Sequence, residues 1–130
     1  MHKTYLTYGA FFGGLAVILG AFGAHGLQKV ISDDELLRAF KTATQYQMYH
    51  ALALLAVGIL YEKFPGKMLK WSGIFFIIGI ILFSGSLYAL TALNSSGSSM
   101  AKIIGPVTPL GGAFFIFGWL LLFIGVMKKS

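Results

Sequence analysis

Gln45-Tyr46-Gln47-Met48-Tyr49-His50 runs directly into Ala51-Leu52-Ala53-Leu54-Leu55-Ala56-Val57. Amides, phenols and an imidazole thus head a segment otherwise apolar enough to span a bilayer. Polar groups in hydrocarbon cost free energy unless partnered, so these side chains should meet other polar groups inside a helix bundle. The rest of the chain reads as the surroundings of that cluster.

Of the 130 residues, 57% are hydrophobic and 11% charged; in a soluble domain about a quarter are charged. Lipid can accept that much apolar surface and water cannot. One domain covering residues 1–130 is expected. The net charge of +6 does not point to nucleic acid, because the basic residues sit at segment ends and form no stripe. The absence of Cys excludes disulfides, thiolate catalysis and Cys-ligated metals.

The predicted fold is an all-α, integral membrane four-helix bundle, with a short amphipathic helix between helices 1 and 2. The spans fall at residues 5–24, 44–61, 71–93 and 107–127, each near the ~20 residues that cross ~30 Å of hydrocarbon. Met1-His2-Lys3 and the small residues up to Ala24 imitate a signal peptide; the expectation is a retained helix. Gly9, Gly13, Ala16, Gly20 and Ala24 recur every three or four residues, a face on which a neighbouring helix approaches closely. Ser32-Asp33-Asp34-Glu35 reads as a capping box with Ser32 as N-cap. Beyond it Leu36, Leu37, Phe40 and Ala43 share one face, and Asp34, Arg38 and Lys41 another. Such a helix is expected near the interface, its charges solvated. Pro65-Gly66 breaks the chain before the third span, where Trp71 is a candidate interface anchor. Residues 94–99 read as a Ser/Gly/Asn loop, and Gly105-Pro106 and Thr108-Pro109 introduce the fourth span.

Four spans put both termini on one side. Lys3, Lys63, Lys67, Lys70, Lys128 and Lys129 share it, against Lys29, Arg38, Lys41 and Lys102 opposite. The excess places the termini in the cytoplasm of a multi-pass cell-membrane protein.

This orientation puts His50 ~9 Å below the outer surface, and Ser84, Ser86, Tyr88 and Thr91 within ~14 Å of it, at ~1.5 Å per residue. His25 and Thr108 stand at the same level. Tyr46 and His50 lie one helical turn apart, as do Gln45 and Tyr49. Residues 57–60, 74–82 and 120–126 of the inner half are apolar apart from glycines. No polar path continues across, which disfavours an ion channel or proton pump. Two readings remain for the outer half. The polar residues either lock the helices together or line a ligand pocket, with His25, Gln45, Tyr46, Tyr49, His50, Ser84, Ser86, Tyr88 and Thr108 as the candidate ligand-binding set.

Gly20-Ala21-Phe22-Gly23-Ala24-His25-Gly26-Leu27, Gln45-Tyr46-Gln47-Met48-Tyr49-His50-Ala51-Leu52, Phe83-Ser84-Gly85-Ser86-Leu87-Tyr88 and Thr108-Pro109-Leu110-Gly111-Gly112 resemble the signature stretches of the YwdK/YgdD-like family of small bacterial membrane proteins. The family is also known as uncharacterised protein family 0382, or domain of unknown function 423. The likeness covers essentially the whole chain in the same order; Phe40-Lys41 departs from the Trp expected before Thr42. The resemblance implies a four-helix inner-membrane protein and no activity.

His25 and His50 lack the further ligands that zinc needs, and a bis-imidazole haem would require both rings to face one cavity. No metal and no cofactor are expected. Ser84 or Ser86 could pair with His50 for nucleophilic catalysis, but no Gly-x-Ser-x-Gly elbow exists. The expected function is therefore non-enzymatic. The protein either binds a small amphiphile, such as a lipid or quinone head group, from the outer leaflet, or serves as accessory subunit to a membrane protein partner. In the accessory version Leu36, Leu37 and Phe40 form the docking face. The alternative is a small-solute transporter, or a component of one, acting as a homo-oligomer.

Overall fold

The computed structural model describes residues 1–95 and 105–128, without the side chains of residues 94 and 95. Helix α1 covers Lys3–His25, and a short 3-10 turn, Leu27–Lys29, leads from it to α2, Asp34–Leu60. Helices α3 (Lys67–Gly79) and α4 (Gly85–Ser95) are joined by a π-helical turn at Ile80–Ser84, and α5 spans Val107–Lys128. The Gly85 N–H donates to the Ile80 carbonyl five residues back, so α3, the π turn and α4 continue as one rod. No strand occurs among the described residues. The all-α, four-helix expectation holds.

Helix α2 is the hub. It packs along α1 and also meets α3, the π turn and α4, while α5 packs along α3 and the π turn. Its buried residues, among them Phe40, Ala43, Gln47, His50, Leu54 and Val57, recur every three or four positions, the stripe a helix buries against neighbours. Leu54, Val57, Leu69, Phe76, Ile80 and Phe115 join Tyr5 in the main core. A smaller cluster of Leu27, Ile31 and Phe40 closes the other end of the α1–α2 pair.

Three stretches, Lys3–Lys29, Lys67–Leu93 and Val107–Lys128, are long and apolar enough to cross a membrane. They are the flanking rods, whose outer faces must meet lipid. Helix α2 does not meet that standard by composition: it carries many polar side chains, of which Thr44, Gln47 and His50 are buried and the rest are mostly exposed.

The amphipathic segment forms the first turns of the continuous helix α2, and is not a separate interfacial helix. At 27 residues, α2 is about 40 Å long at ~1.5 Å per residue, more than the hydrocarbon requires. The N-cap is Asp33 and not Ser32: its carboxylate accepts the Glu35 N–H at 2.9 Å from an extended backbone. A carboxylate there also offsets the partial positive charge of the helix start. Of the expected docking face, Phe40 is buried in the smaller core and the half-buried Leu36 and Leu37 pack against it. Of the expected loop at 94–99, Asn94 and Ser95 belong to α4 and the remainder lies outside the described residues.

Both chain ends share one end of the bundle. The His2 N–H donates to the Gly58 carbonyl at 2.8 Å, and the Tyr5 hydroxyl donates to the Lys70 carbonyl. At that end a methyl group on Gly125 would meet Leu69. At the far end Gly111 lets α5 lie backbone to backbone against Phe83 of the π turn, where a Cβ would overlap the Phe83 nitrogen.

Candidate functional site

The phase of α2 decides which polar groups meet. The buried stripe includes Gln47, 2% exposed, and His50, whereas Gln45, Tyr46 and Tyr49 are exposed. Gln47, absent from the sequence-derived set, is the amide at the centre. Its Nε2 donates to the Phe12 carbonyl of α1 at 2.8 Å, and its Oε1 accepts the Tyr88 hydroxyl of α4 at 2.7 Å. One side chain thereby ties three helices. Extending the stripe from Phe40 through Ala43 to Gln47 would have found it; pairing residues one turn apart, without choosing a face, could not.

His50 is held from both sides of its ring. Nδ1 lies 2.8 Å from the Tyr46 carbonyl, and Nε2 lies 3.0 Å from Nε1 of Trp119. A carbonyl only accepts and an indole N–H only donates, so Nδ1 carries the proton and Nε2 accepts. The ring stacks on Phe115 with centroids 3.6 Å apart and planes within 8°. Trp119 was not foreseen. Its signal was an indole N–H far inside an apolar helix, where it must find an acceptor.

The other candidates are partnered too. Ser84 donates to the Ala43 carbonyl at 2.8 Å, and Ser86 bonds both the Phe83 carbonyl and Thr108. Thr44 and Thr91 donate to carbonyls of their own helices. No buried side-chain nitrogen or oxygen among the described residues lacks a partner. His25 is exposed on the last turn of α1, and the rings around His50 are those of Tyr46, Phe76, Phe115 and Trp119. Between α3 and α5, Ser72 donates to the Gly118 carbonyl at 2.7 Å, a bond not expected from the sequence. No group of three or more potential metal ligands lies together among the described residues.

Open space lies beside this network. Helices α1 and α2 touch closely at Gly9, where an added Cβ would come within 3.0 Å of the Ala51 carbonyl. Further along, a Cβ on Gly20 would meet nothing within 4 Å, whereas one on Gly23 would come within 2.9 Å of the Phe40 ring. A cavity of about 620 Å³ opens there, lined by Gly20, Gly23 and Phe40 and by the polar Asp34, Arg38, Lys41, Thr44 and Gln45. The small-residue face of α1 therefore does two things. Gly9 and Ala16 are buried, Gly13 touches Ala51, and Gly20 and Ala24 face the cavity. A second groove of about 500 Å³, between α2 and α5, is bordered by Tyr46, His50, Phe115 and Trp119. Of the sequence-derived set, Gln45 borders the first space, Tyr46 and His50 border the second, and the other six border neither.

The family model described as "Protein of unknown function (DUF423)" matches residues 19–112. This span holds the α1–α2 cavity and the Gln47–Tyr88 bond, but neither Phe12 nor Trp119. A UPF0382 membrane protein of Staphylococcus aureus is 44% identical over 126 residues, 97% of each chain. The chain belongs to this family. The UPF0382 membrane protein YwdK of Bacillus subtilis is 42% identical over 97% of this chain and 98% of its own. A UPF0382 membrane protein of Schizosaccharomyces pombe is 43% identical over 85% of this chain and 90% of its own, so the family extends beyond bacteria. No solved structure matches. UPF0382 membership makes this an uncharacterised membrane protein and assigns it no activity.

Proposed function

We propose that this is a non-enzymatic multi-pass membrane protein, with α2 as its fourth span and both termini cytoplasmic, that holds a small lipid-like or quinone-like amphiphile in the α1–α2 cavity. The observation that carries this is Gly20. Glycine in a helix interior costs about 1 kcal/mol relative to alanine, and no protein atom stands where its side chain would be. Close helix packing does not account for the residue, which lines the open volume between α1 and α2. The cavity volume of about 620 Å³ falls within the ~300–1,000 Å³ typical of small-ligand sites.

The non-enzymatic reading is supported by the hydrogen bonds of the polar network. Both ring nitrogens of His50 are engaged by Tyr46 and Trp119, and Ser84 is turned to the Ala43 carbonyl. No serine in that set is left to the histidine as a nucleophile. Gln47, His50, Ser84 and Tyr88 then serve as the frame beside which the cavity stands, in keeping with the locking reading of the polar cluster.

Native mass spectrometry on gently solubilised protein tests this. A small molecule of defined mass retained by the wild type and lost in Gly20→Leu is the expected result. Retention unchanged in Gly20→Leu, or no adduct in either protein, overturns the proposal.

A further inference from the structure

The α1–α2 cavity is not uniform along its length. Gly20, Gly23, Ala24, Leu37 and Phe40 supply apolar lining, and the exposed Arg38 and Lys41 flank Phe40 on α2, between Asp34 and Gln45. Among the described residues neither cation is engaged in an ion pair. Asp34 is the one carboxylate on the lining, so its charge there is two positive against one negative.

We infer that the occupant is a single-chain amphiphile with an anionic head, its carboxylate or phosphate held by Arg38 and Lys41 and its chain laid over Gly20 and Phe40. This rests on the cavity reading and adds the ligand class. Charge complementarity selects the head, because a guanidinium and an ammonium beside a low-dielectric wall favour an anion and offer it charge-assisted hydrogen bonds. Volume selects the single chain. About 620 Å³ is room for roughly twenty heavy atoms at about one water volume of ~30 Å³ each. The apolar lining selects an alkyl tail, since the helix backbone bared at Gly20 and the Phe40 ring packed on Gly23 offer smooth apolar contact. Arg38 and Lys41 lie toward the membrane surface on α2, so head and tail would run the same way as those of the surrounding lipid.

Binding of dodecanoate and of dodecanol to the full chain in a neutral detergent, at mildly alkaline pH, separates head from tail. Wild type should bind dodecanoate at least about tenfold tighter than dodecanol, the gain of one charge-assisted contact. Arg38→Gln with Lys41→Gln should bring that ratio close to one and leave dodecanol affinity unchanged. Both side chains are exposed, so the fold should tolerate the change. Gly20→Leu should abolish binding of both. Equal binding of the two probes by wild type, lost in Gly20→Leu, would overturn the anionic head and leave the cavity reading standing. A preference for dodecanoate that survives the double substitution would also overturn it. Failure of wild type to bind either probe, or binding untouched by Gly20→Leu, would overturn the cavity reading and the inference with it.

Discussion

The indole N–H of Trp119 donates to Nε2 of His50 across 3.0 Å, joining the apolar α5 to the middle of α2. The histidine that heads the most polar run of the chain is thus spent on another helix of the same bundle. Removing the donor while keeping an aromatic ring isolates that bond. Trp119→Phe should lower stability by about 1 kcal/mol, the size of interhelical hydrogen bonds in membranes, in equilibrium unfolding from mixed micelles. Trp71→Phe, on an exposed side chain, should stay within about 0.5 kcal/mol of wild type.

Gln47 and Gln45 are two residues apart and should behave oppositely. Gln47→Leu leaves the Tyr88 hydroxyl without its acceptor and removes a donor from the Phe12 carbonyl; a loss of about 1–2 kcal/mol is expected. Gln45→Leu, on an exposed position, should change stability by less than about 0.5 kcal/mol. Equal losses in the same unfolding assay would refute the assigned face of α2.

Tyr88→Phe combined with Gln47→Leu forms a double-mutant cycle across α2 and α4. Because the two side chains share the 2.7 Å bond, the double variant should lose less than the sum of the singles, with a coupling of about 0.5–1.5 kcal/mol. Additive losses would show that the bond contributes nothing.

Two glycines give the sharpest contrast. Gly111→Ala drives a methyl group into the Phe83 backbone, which a side-chain rotation cannot relieve, and should destabilise by about 1–3 kcal/mol. Gly20→Ala meets open space and should stabilise by up to about 1 kcal/mol through helix propensity. Thermal unfolding of the two single variants reads both signs.

Reporters fused after the C-terminus should be active only where they fold on the cytoplasmic side. A tag read outside at either terminus would refute the four-span orientation drawn from the lysine distribution.

Much of the fold was legible in the sequence because lipid imposes simple rules. Long apolar stretches must be helices that satisfy their own backbone, and the breaks at Pro65-Gly66 and Pro106 mark where they end. The small-residue face at Gly9, Gly13 and Ala16 was legible for the same reason, since a close helix contact needs small side chains. The cavity was not. Gly20 continues that face by spacing alone, and nothing in the sequence says that no side chain stands against it.

The candidate site was read with the right residues nearby and the wrong phase. Tyr46, Tyr49 and Gln45 were as plausible as Gln47 while each pair was judged only by its spacing of one turn. Trp119 and Ser72 were missed because their partners come from other helices.

By itself, then, the sequence determined a membrane bundle of four helices, its chain ends together, with polar side chains gathered toward the other end. Hydrophobicity, glycine spacing and breakers are local quantities, and they suffice for that. Tertiary structure alone decided that His50 faces Trp119, that Gln47 replaces Gln45 in the network, and that Gly20 borders empty volume. Each depends on how one helix is rotated and tilted against another, a relation held by contacts between residues 35 to 69 positions apart that no local pattern records.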